Sequence, residues 1–129
     1  MRYLITLAYD GSKFYGYQKQ PNVKTVQEEL ERALTMINNK VVNVSASGRT
    51  DAGVHAINQK AHFDLDIKIT PDKLKQALNS LIDKSIYIKS VEEVNDYFHA
   101  RFNVLKKEYI YDISKIKKEL IMKTEKIKI

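Results

Sequence analysis

The chain contains no cysteine, which removes disulfides, thiolate nucleophiles and cysteine-bound zinc together. Its three histidines, His55, His62 and His99, show no HExxH spacing, so no metal site is expected. No stretch approaches the roughly eighteen apolar residues of a membrane span, and no charged-then-apolar leader follows Met1. The expectation is a cytoplasmic protein with no membrane partner. No repeat or low-complexity linker breaks the chain before its lysine-rich tail. At 129 residues and 43% hydrophobic content, one domain burying roughly two-thirds of its unfolded surface is the default. The net charge of +6 fits a polyanionic partner, since cations that neutralise phosphates gain affinity by counterion release. It fits an incidental lysine-rich surface equally, because much of the excess lies in the last quarter of the chain.

What is present reads as alternating strands and helices. Tyr3 to Tyr9 alternates with apolar residues on both sides, the pattern of a central strand, and ends in the turn signal Asp10-Gly11-Ser12. The loop KFYGYQKQPN interleaves Phe14, Tyr15 and Tyr17 with Lys13, Gln18, Lys19 and Gln20. Such residues can stack on bases and touch phosphates, although half-buried loop tyrosines are the commoner case. Thr25 and Glu28 form a capping box ahead of a helix with Val26, Leu30, Ala33, Leu34 and Ile37 on one stripe, closed by Asn38-Asn39. Val41–Ala46 reads as a short strand and Gln59–Ile69 as another, with Asp64 and Asp66 on its wetter side. Thr70-Pro71 starts a second helix carrying Leu74, Ala77, Leu78 and Leu81. Strands are expected at Ser85–Val94 and Lys107–Ile113. The fold class that follows is α+β, most simply a ferredoxin-like βαββαβ sheet with both helices on one face. The other face would be free to meet RNA or a second domain. The tail from Lys115 permits a helix, a strand or disorder.

Between the second and third strands lies SGRTDAGVHA, residues 47 to 56. It sets Asp51 between Gly48 and Gly53, with Arg49 before it and His55 after it. Glycines so close together allow a sharp turn and a close approach to a ligand. Two readings of Asp51 follow from the spacing. Either its carboxylate caps its own backbone as an Asx turn, or a rigid scaffold displays it for chemistry.

YLITLAYDGSKFYGYQKQ, TVQEELERAL, SGRTDAGVHA, FHARF and KKEYIY, in that order, resemble the N-terminal half of the TruA family of tRNA pseudouridine synthases. The resemblance spans about Tyr3 to Tyr111 and implies isomerisation of uridine to pseudouridine in the anticodon stem-loop of tRNA, with no cofactor and no metal. It implies Asp51 as the catalytic residue, which must be ionised to act as a nucleophile; attack at ribose C1′, attack at uracil C6 and a glycal-like route are all open to it. It also implies base-flipping and substrate-binding roles for Arg49 and Tyr109, with His55 and Arg101 as further candidates. The chemistry needs such residue types, because a stacked uridine must leave the helix, something must fill the gap and an aromatic must receive the base. Tyr109 as an ordinary strand tyrosine, and His55 as a hydrogen-bond partner within its turn, are the structural alternatives. A homodimer with tRNA spanning both subunits is implied too.

Two departures stand out. Tyr17 occupies a position where the family pattern expects tryptophan, which keeps an aromatic face and loses the indole donor. The family also has a second domain after KKEYIY, supplying a basic partner for the aspartate and the far wall of the cleft, whereas this sequence stops at Ile129. The expectation is therefore one domain over residues 1–114 and a basic tail over 115–129, together an N-terminal fragment weak or inactive by itself. The competing class is a non-catalytic RNA-binding module, although no RNP1-like run is present.

Overall fold

The computed structural model describes residues 1–98. Its elements are β1 (Arg2–Tyr9), α1 (Val26–Asn38), β2 (Ser45–Ala46), β3 (Ala56–Asp64), α2 (Pro71–Leu81) and β4 (Ile86–Val94), with a single 3₁₀ turn at Gly11–Lys13. The strands form one sheet in the order β2-β3-β1-β4, and every pairing is antiparallel. This is the ferredoxin-like arrangement expected of the pattern. The expected strand at 107–113 and the tail from Lys115 lie outside the described residues. No helix among the described residues is long and apolar enough to cross a membrane.

Both helices start where their side chains say they should. Thr25 Oγ1 accepts the Glu28 amide at 3.3 Å, and Thr70 Oγ1 accepts the Lys73 amide at 3.4 Å, with Pro71 in the first turn. α1 ends at Asn39 in the left-handed conformation, φ 59°, a geometry asparagine tolerates. The helices bury Val26, Leu30, Ala33, Leu34, Leu74 and Leu78 against Tyr3, Ile5, Leu7 and Tyr9 of β1, Phe63 of β3, and Ile86 and Ile88 of β4.

The expected strand over 41–46 is paired only at Ser45–Ala46. Val42 and Val44 are buried as their pattern requires, but their amides are taken by α1: Val42 N–H donates to Thr35 Oγ1 at 3.2 Å and Val44 N–H to Glu31 Oε2 at 2.9 Å. A donor used by a helix side chain is lost to the ladder. β3 likewise stops at Asp64, because the Asp66 amide donates to Asn38 Oδ1 at 2.8 Å. Asp64 and Asp66 are exposed, as expected.

The opposite sheet face is not the free surface expected of it. Leu4, Thr6 and Ala8 of β1 and Ile57 and His62 of β3 are buried there too. β1 is apolar on both sides, so both sides leave water, and the Lys60 ammonium reaches across to Thr6 Oγ1.

Candidate active site

The segment from Ser47 to Ala56 runs from β2 into β3, tied to the sheet at its start and to the turn after β1 at its end. Ser47 N–H donates to the Lys60 carbonyl at 2.8 Å, and the Gln59 amide nitrogen donates to the Gly48 carbonyl at 2.7 Å. At the far end His55 Nδ1 accepts the Gly11 amide at 2.9 Å. Asp10 Oδ1 lies 3.2 Å from the same atom.

Thr50 is the inner anchor. Its hydroxyl is 2.6 Å from the Tyr9 hydroxyl in a buried pair, and its carbonyl accepts the Tyr17 amide at 3.1 Å. Thr50 is 7% exposed. Successive side chains of an extended segment point to opposite sides, so Thr50 held inward turns Arg49 and Asp51 outward, and both are exposed. The turn then closes through the backbone, with Val54 N–H donating to the Asp51 carbonyl at 3.1 Å. Gly53 takes φ 80°, and its amide donates to the Phe14 carbonyl at 3.4 Å.

This geometry sets aside the Asx-turn reading of Asp51. Among the described residues its carboxylate accepts no hydrogen bond, and its carbonyl forms the turn instead. Asp10 shows what a turn-forming aspartate does: its Oδ1 accepts both the Ser12 amide at 3.0 Å and the Ser12 hydroxyl at 2.6 Å. Burial works to raise the Asp10 pKa, yet those bonds, with His55 and Lys13 nearby, hold it below the ordinary carboxylate value.

The structure brings Arg49, Asp51 and His55 onto one loop, with the first two facing out and His55 acting as a clamp to the β1 end. The histidine bond crosses to another loop and does not close its own turn. Tyr109 and Arg101 lie outside the described residues. Sequence reasoning missed Tyr9, Thr50, Gln59 and Glu31 as supports. The in-out alternation of Arg49, Thr50 and Asp51 was the available signal for Thr50. The partners, 41 residues away for Tyr9, carry none. Of the loop aromatics, Phe14 and Tyr17 are core residues and Tyr15 is 61% exposed. The Tyr17 hydroxyl is buried with no hydrogen-bond partner among the described residues; that burial, with Tyr9 and Glu31 close by, pushes its pKa up.

Fold and loop together define a ferredoxin-like α+β domain that displays one outward carboxylate on a pinned loop beyond its sheet. The model of a family described as tRNA pseudouridine synthase matches residues 5–103, a span that takes in β1 from Ile5 onward, the other three strands, both helices and the Asp51 loop, and the chain belongs to that family. Among its relatives is "tRNA pseudouridine synthase A" of Listeria monocytogenes serovar 1/2a, 52% identical over 117 residues that make up 90% of this chain and 47% of the relative. Proteins of the same name from Geobacillus sp. and Bacillus licheniformis are 51% and 48% identical, over 84% and 88% of this chain and 44% and 47% of theirs. The chain spans about half the length of the curated relatives it matches.

Proposed function

We propose that this chain is the aspartate-bearing half of a tRNA pseudouridine synthase, an isomerase acting on uridine in the anticodon stem-loop of tRNA. The observation that carries the reading is the outward Asp51 carboxylate, unused in its own turn, on the most family-specific stretch of a chain that belongs to the synthases. In the reaction the bond from ribose C1′ to uracil N1 breaks, the base turns, and C1′ is rejoined to C5. C5 loses its proton and N1 gains one, so the sum of atoms is unchanged and no cofactor is required. Asp51 is the catalytic carboxylate, acting at ribose C1′, at uracil C6 or through a glycal-like intermediate. Arg49 occupies the gap left by the extruded uridine and holds the backbone. Tyr109 receives the base and Arg101 meets the RNA, while His55 serves by fixing the loop. Residues 1–114 are the catalytic-aspartate domain and residues 115–129 a basic tail. The complete enzyme acts in the cytoplasm as a homodimer.

The test is tritium release from tRNA labelled at uracil C5. A chimera is assayed in which this chain replaces the matching half of the Listeria monocytogenes relative, with Asp51→Asn alongside it. Release by the chimera and its loss in Asp51→Asn, with tRNA binding retained in both, is the expected result. Release that survives Asp51→Asn would remove the aspartate from the chemistry. Binding without release in either protein would favour an RNA-binding module.

A further inference from the structure

The loop joining β1 to α1 alternates in and out of the core, and one aromatic is left outside. Phe14 is 4% and Tyr17 2% exposed, whereas Tyr15 between them is 61% exposed. Its backbone is nonetheless fixed on both sides. Tyr15 N–H donates to the Lys24 carbonyl at 2.8 Å, and the Tyr15 carbonyl accepts Gln20 Nε2 at 2.8 Å. A phenol on an ordered backbone loses little further freedom when a ligand meets it.

Tyr15 also stands beside the Asp51 turn. The Phe14 carbonyl accepts the Gly53 amide. Gly16, at φ 90°, packs so tightly that a Cβ there would lie 2.9 Å from the Thr50 carbonyl oxygen and 3.4 Å from the Asp51 carbonyl carbon. The residues before and after Tyr15 thus both touch the loop that presents the carboxylate. Two exposed cations belong to the same pair of loops, Lys13 two residues before Tyr15 and Arg49 two residues before Asp51.

We propose that Tyr15 is a stacking platform for the nucleobase next to the reacting uridine, with Lys13 and Arg49 meeting the flanking phosphates. The proposal rests on the synthase reading above and adds a second base-binding position to it. With Arg49 filling the gap left by the uridine, the base that keeps an open π-face is an unpaired loop base beside the target, and an aromatic ring accepts any base in that orientation. The occupant is an unpaired base of RNA, taken by stacking and not by its hydrogen-bonding edge, so its identity matters little and its single-strandedness matters greatly.

The 129-residue chain is titrated with a fluorescein-labelled anticodon stem-loop RNA at fixed ionic strength, as wild type, Tyr15→Phe and Tyr15→Leu. Circular dichroism checks the fold of each variant. Tyr15→Leu should weaken binding about 5- to 100-fold while leaving its salt dependence unchanged, because stacking releases no counterions. Tyr15→Phe should bind within about twofold of wild type, since the ring is kept. A 5-iodouridine placed beside the target should photocrosslink to Tyr15. Wild-type affinity in Tyr15→Leu, or equal losses in Phe and Leu, would overturn the platform and leave the synthase reading intact. No RNA binding by the wild-type chain would overturn the platform and leave the synthase reading to the chimera assay.

Discussion

The hydroxyls of Tyr9 and Thr50 sit 2.6 Å apart in the core, joining the last residue of β1 to the residue immediately before Asp51. Through this contact a buried strand end sets the side on which an exposed carboxylate emerges. Tyr9→Phe leaves the Thr50 hydroxyl buried and unpaired, at a cost of about 1–3 kcal/mol. Thr50→Val should cost a similar amount, and the double variant less than the sum, because the two changes remove one interaction. Urea unfolding of the four proteins measures the coupling; strict additivity would show that the hydroxyls do not act together.

Tyr17 should behave in the opposite way to Tyr9. Its hydroxyl is buried without a partner among the described residues, so Tyr17→Phe removes a desolvated polar group and loses no bond. The variant should match the wild type or exceed it by up to about 1 kcal/mol in the same unfolding assay. A clear loss of stability would reveal a partner for that oxygen.

The loop glycines should rank by the space around them. A Cβ at Gly11 would lie 1.8 Å from the Val54 carbonyl oxygen, whereas one at Gly53 meets nothing within 4 Å. Gly53→Ala therefore carries only the left-handed backbone penalty, about 1–2 kcal/mol. Gly11→Ala must push the two loops apart and disrupt the Gly11 to His55 bond, so it should be the more damaging. The midpoint of thermal unfolding orders them, and a reversed order would contradict the packing.

Acid should weaken the fold in a defined window. The bidentate Arg2 guanidinium, at 2.8 and 3.0 Å, holds the Asp64 carboxyl below its ordinary 3.8. Burial works against a low pKa at Asp83, but bonds from Lys24 and Ser85 hold it below that value as well. A carboxyl whose folded pKa is depressed contributes stability above its unfolded pKa and loses it as pH falls through the folded one. Stability should therefore be level from about pH 7 to 5 and fall below about pH 4. Carboxyl NMR titration of Arg2→Met should return the Asp64 midpoint towards the ordinary value while leaving Asp83 depressed.

Much of the architecture was legible because its signals are local. Thr25 and Thr70 cap helices through amides three residues on, and the alternation of Tyr3, Ile5, Leu7 and Tyr9 placed a central strand that the sheet order confirms. What was misjudged lay where distant side chains took backbone donors. Val41–Ala46 has the pattern of a strand, yet Glu31 and Thr35 of α1 claim two of its amides. The second sheet face was expected to be free although Leu4 and Ala8 already marked β1 as apolar on both sides; Lys60 reaches Thr6 there and Phe98 packs edge-on against His62, contacts between distant segments that alternation does not describe.

The order of residues alone determined both helices and their caps, the central strand, the family and the candidate aspartate, since all of these are written in neighbours a few positions apart. Only the tertiary structure decided that the Asp51 carboxylate faces outward and takes no part in its own turn. That outcome depends on Thr50 being held from the inside by Tyr9 and by the Tyr17 amide, contacts made between segments far apart in the chain and brought together by burial of the shared core.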